Sequence, residues 1–160
     1  GGAGTNGNAN GGAASLLGGA KNGSGVDGAV NVGTSNTSAV NVGAAGVTTT
    51  VTGNLALAAA GLLGIGTAQA LSGAGAVDVT HVVTKFTSTG GAQALTLADG
   101  SFNGQVKIVH HTVDGGSGVL TPTTAGNFAT FTFTNVHDAC LLMWNGSAWD
   151  ILLNVGGTVG

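Results

Sequence analysis

Hydrophobic and polar positions alternate clearly only in the second half of the chain. From Val77 onward the period-two pattern predicts strands at about 78–86, 93–98, 105–113, 118–121, 128–134, 139–144 and 148–153. Alternation of this kind marks a half-buried strand, because successive side chains leave opposite faces of the backbone. Phe131 and Phe133, set between Thr130, Thr132 and Thr134, carry the pattern most plainly. The segments between them have turn chemistry: Asp99-Gly100, Asn103-Gly104, Asp114-Gly115-Gly116, Ala125-Gly126-Asn127 and Asn145-Gly146. Short strands at this spacing predict a small antiparallel β-sandwich, jelly-roll-like in its strand economy. Trp144 and Trp149 flank a tight hairpin turn and are the candidate surface-recognition residues. Core or intersubunit packing is the more ordinary role for such a pair.

The first half has a different pattern. Ala29-Val30-Asn31-Val32-Gly33 returns ten residues later as Ala39-Val40-Asn41-Val42-Gly43, and Gly46 to Leu55 continues in the same style. Each unit reads as a short strand of alternating Val and Asn closed by a Gly and polar turn. Strands this short do not pair usefully alone, and repeat units rely on their neighbours for burial. Val30, Val32, Val40, Val42, Val47, Val51, Leu55 and Leu57 are therefore candidates for packing between subunits. Residues 1–28 are Gly/Asn/Ala low-complexity sequence. Residues 55–75 form an Ala/Leu/Gly connector that suits a short helix over 55–63 and an intersubunit contact equally.

Composition sharpens the division. Of the 32 Gly among 160 residues, 20 fall in residues 1–75, with only Lys21 and Asp27 as charges. Residues 76–160 hold every Phe, Trp and His and five of the six Asp. The expected organisation is a Gly-rich repeat stalk and anchor at 1–75 and a β-sandwich head at 76–160. Glycine loses the most backbone entropy on ordering, so a single copy of the first region cannot offset that cost with a core of its own. Other copies of the same chain are the economical source of the missing burial. Charged residues are 6% of the chain, with three Lys, no Arg and no Glu. That excludes a nucleic-acid partner, which needs cations to displace counterions from phosphates. A hydrophobic share of 42% and a net charge of −3 also exclude disorder driven by charge.

Candidate chemistry changes little. Cys140, the one cysteine, lies in the apolar run 139–143 and reads as a small buried hydrophobe. Gly23-Ser24-Gly25-Val26-Asp27-Gly28 fits a dinucleotide fingerprint in spacing, but no buried strand precedes it. His110 and His111 are adjacent on a predicted strand and face opposite sides, so one chain cannot bring both to one ion. Ser117 lacks the flanking Gly pattern of a nucleophile elbow, and the Asp residues are dispersed, mostly in turns. The expectation is a non-enzymatic protein with no cofactor and no metal site. Leu55 to Leu71, broken by Gly61, Gly64 and Gly66, is too short for a membrane span. The first residues lack the basic stretch and apolar core of a signal peptide.

Residues 30–58, VNVGTSNTSAVNVGAAGVTTTVTGNLALA, resemble the Gly/Thr/Asn repeats of bacteriophage tail fibres and other phage fibrous proteins. The opening GGAGTNGNANGG is similar to the low-complexity lead-in of the same proteins. The stretches TLADGSFNGQVKIVHHTVDGGSGVLTP and LLMWNGSAWDILLN look like a small β-module at the ends of phage structural proteins. The resemblance implies an intertwined homotrimer with a fibrous stalk and a β-rich head, on the exterior of a virion. The chain is short for a receptor-binding tail fibre, which favours a head fibre or capsid-decorating protein docked on a capsid or tail protein. A tail-fibre module that binds a host receptor or glycan is the alternative, and a secreted bacterial filament or matrix subunit is a third.

Overall fold

The computed structural model describes residues 63–160, together with Ser24, Val42, Thr49, Val51, Thr52 and Leu55. Ten strands lie in the unit Leu57–Gly160: β1 Gln69–Ser72, β2 Gly75–Val77, β3 Val83–Thr87, β4 Gln93–Leu97, β5 Val106–Val113, β6 Gly118–Pro122, β7 Phe131–Phe133, β8 Ala139–Trp144, β9 Trp149–Val155 and β10 Thr158–Val159. They form two five-stranded sheets, in the orders β1-β3-β5-β8-β9 and β10-β7-β6-β4-β2. The head is all-β, as its alternation predicts. The helix considered over 55–63 falls largely outside the described residues.

The antiparallel expectation is corrected. Strands β1, β3 and β5 are mutually parallel in the first sheet, and β2, β4 and β6 are parallel in the second. The chain alternates between sheets, so β1–β2, β3–β4 and β5–β6 are three successive coils laid one on another. Only the last strands are antiparallel: β5 with β8, β8 with β9, β6 with β7 and β7 with β10. The cause lies in the corners. The two residues Gly73 and Ala74 between β1 and β2 are too few to cross over within one sheet, so the chain turns into the other. A Gly-rich corner and a Gly-rich hairpin look alike in sequence.

Close stacking of the coils demands glycine at one place in particular. The 114–117 corner lies against the 88–91 corner, and a Cβ on Gly116 would fall 1.6 Å from the carbonyl oxygen of Gly90. Gly116 also has φ 145°, which L side chains avoid.

The core fills the space between the sheets. The second sheet contributes Val77, Leu95, Leu97, Leu120, Phe131 and Phe133, all buried. The first contributes Phe86, Val109, Cys140, Leu142, Trp144 and Trp149. Gly118 leaves room for the Phe86 ring, whose edge occupies the position a Cβ there would need. Phe131 and Phe133 meet edge to face at 4.7 Å, a favourable aromatic geometry.

Candidate functional site

Both tryptophans are core residues, which corrects their candidacy for surface recognition. Trp149 is fully buried and Trp144 nearly so, and the rings meet edge to face at 5.6 Å. The Trp149 Nε1–H donates to the carbonyl of Ala98 at 2.9 Å, which satisfies the indole inside the core. Hairpin register places both on the inward side: Trp144 pairs with Trp149 across β8 and β9. The Asn145 side-chain oxygen accepts from the Ser147 and Ala148 amides and closes the turn. Phe102, in the loop between β4 and β5, is the exposed aromatic among the described residues.

Of the candidate intersubunit residues, Val42, Val51 and Leu55 are exposed. Val30, Val32, Val40, Val47 and Leu57 lie outside the described residues, as does the glycine fingerprint at 23–28 apart from Ser24.

The inward face of the first sheet carries a polar set that the sequence reading missed. His111 Nδ1 lies 2.8 Å from the Asn135 carbonyl, and His111 Nε2 lies 2.9 Å from Ser88 Oγ. The carbonyl can only accept, so Nδ1 carries the proton in the neutral ring and Nε2 accepts from the serine hydroxyl. A serine on a histidine imitates a nucleophile and its base. Here Ser88 and His111 are 2% and 0% exposed, so the pair is shut off from solvent. Its work is structural: Ser88 Oγ accepts from the Gly115 amide and joins the two stacked corners.

Lys107 is buried on the same face. Its Nζ donates to the carbonyls of Asp78 and His81, each at 2.6 Å, and so pins the corner between β2 and β3. Burial pushes this ammonium down to about 8, with the Asp78 carboxylate opposing. The Asp78 carboxyl is itself held below its ordinary value, first by the Thr80 amide and then by the Thr80 hydroxyl, each 2.8 Å away. Cys140 is buried beside this set, and desolvation pushes its thiol up to about 12, which makes it a poor nucleophile. His110, one residue from buried His111, points outward and stacks on His137 at 5.8 Å. No group of three or more metal-ligating side chains converges among the described residues.

The outward faces of the two sheets differ in chemistry. On the first sheet, register aligns Val83, Ile108, Leu141 and Leu153 in one row across β3, β5, β8 and β9. Val106, Met143 and Asp150 form the next, and Ala70, Lys85, His110, Ala139 and Val155 another. On the second sheet the rows read Ala94, Val119, Thr132 and Thr158, and Ala76, Thr96 and Thr121. The first exterior carries Val, Ile, Leu and Met at its centre, and the second is threonine and alanine apart from Val119.

No protein-family model matches the chain, and no curated protein is significantly similar to it. No helix among the described residues is long and apolar enough to cross a membrane.

Proposed function

We propose that the chain is a non-enzymatic structural protein of a bacteriophage particle, a homotrimeric head fibre or capsid-decorating protein. The phage assignment rests on the resemblance of residues 30–58 to phage fibre repeats. The observation that carries the architecture is the strand order. Strands β1 and β2 form one edge of both sheets, and β9 and β10 form the opposite edge. The described strands therefore begin at one edge of the sandwich and finish at the opposite edge. This entry at an edge supports a head carried on a stalk, with the low-charge N-terminal region as the anchor on a capsid or tail protein. The buried Ser88 and His111, tied into the corners, supply no chemistry that competes with this reading.

Full-length chain run on denaturing gels with and without boiling, combined with antibody labelling of virions in electron micrographs, tests the proposal. A heat-sensitive trimer band and label on the particle exterior are expected. A chain that runs and sediments only as a monomer, with unlabelled particles, overturns it.

Receptor binding by a tail-fibre module keeps one specific support. Phe102 is 64% exposed on the β4–β5 loop, where a stacking contact with a sugar ring has room. Loss of cell binding on Phe102→Ser, with assembly intact, would favour that reading.

A further inference from the structure

We propose that the outward face of the first sheet is the surface on which copies of this chain pack against one another. This deepens the self-assembly part of the function proposed above and rests on it.

The face is aliphatic where an exposed sheet is ordinarily polar. Val83, Ile108, Leu141 and Leu153 run in an unbroken row over four strands, and Val106 and Met143 extend it. Leu153 and Val106 are exposed. The second sheet provides an internal comparison: it shares the same core, yet its outward rows are threonine and alanine with Val119 as their one larger apolar residue. Five strands at about 4.8 Å and six residues at about 3.3 Å give a flat footprint of roughly 500 Å² before side-chain relief is added. That is somewhat over half of the roughly 800 Å² each partner gives to a standard interface.

Charge identifies the occupant. The face carries one lysine, Lys85 on β3, and one carboxylate, Asp150 on β9. They are three strands apart and four residues apart along the strands, so they occupy diagonal corners roughly 20 Å from each other. A cyclic trimer that turns these faces toward its axis brings the Lys85 flank of each chain toward the Asp150 flank of the next, with the aliphatic rows facing the axis. The surface is thus complementary to itself. A strongly charged partner would find only one site of each sign.

Sedimentation of the full chain tests this, with far-UV circular dichroism to confirm that each variant folds. Leu153→Lys should raise the dissociation constant between copies at least tenfold, and Thr121→Lys on the other exterior should leave it unchanged. Lys85→Asp should weaken association severalfold, and Lys85→Asp combined with Asp150→Lys should restore it. If the wild type associates and Leu153→Lys and Lys85→Asp associate equally well, copies meet elsewhere; the face is then wrongly assigned and the assembly reading stands. A monomeric wild type overturns both and leaves the face to a different protein.

Discussion

The two sheets share one apolar core but sort polar from apolar residues with different strictness. The second follows the usual rule, with Leu95, Leu97, Leu120, Phe131 and Phe133 inside and threonine and alanine outside. The first places Thr84, Lys107 and His111 inside among its apolar residues, and Val, Ile, Leu and Met outside. The inside exception is stable because each buried polar group is partnered: among the described residues no buried side-chain nitrogen or oxygen lacks a hydrogen bond. The outside exception has no such remedy within the described residues. Buried polarity is satisfied here by partners within the sandwich, whereas the exposed apolar row has none among the described residues.

The sharpest way to break the comparison is to attack the dry side. Phe133→Ala removes a fully buried ring that touches Phe86 and Phe131, and should cost about 3–5 kcal/mol in denaturant unfolding. Lys107→Ala attacks the polar side. It removes the buried stem and leaves two carbonyls without their donor, for about 3 kcal/mol, and Lys107→Met, which keeps the stem, should cost about 2 kcal/mol. A Lys107→Met variant as stable as the wild type would show that the polar interior contributes nothing.

Alkaline pH separates the sides further. The folded chain releases the Lys107 proton near 8, below the ordinary 10.5, so stability should rise with pH from about 8. The Cys140 thiol works in the opposite sense. It is held protonated to about 12 in the fold against an ordinary 9.0, so above about 9 it subtracts from that rise. Unfolding midpoints across this range should climb and then flatten in the wild type. They should keep climbing in Cys140→Ala up to the ordinary lysine value, and lose the climb in Lys107→Met. Identical slopes in all three chains would contradict the assignment. The smallest effect belongs to the second exterior, where Thr121→Ala should change stability by no more than about 0.5 kcal/mol.

The strands β3 to β9 were legible in the sequence because large apolar residues recur at alternate positions in several of them, as Leu95 and Leu97 and Phe131 and Phe133 do, between clusters of turn residues. β1 and β2 were not: GlnAlaLeuSer and GlyAlaVal carry one large apolar residue each. Sheet direction was illegible for a physical reason, since alternation reports which side chains are buried and says nothing about which strand lies alongside. The inward lysine and histidine had a readable signal. Lys107, Val109 and His111 share one phase of β5, so burying Val109 buries all three. The tryptophans misled because a hairpin flanked by aromatics looks the same whether it faces solvent or core.

The winding of the coils also sets a timetable for synthesis. In the first sheet β1 rests on β3, β3 on β5, and β5 on β8, which leaves the ribosome last but one. The β8–β9 hairpin, joined by only four residues, follows these coils in the chain, so the first sheet is complete only once it is made. Everything before β1 is therefore synthesised before the two sheets can close over their core.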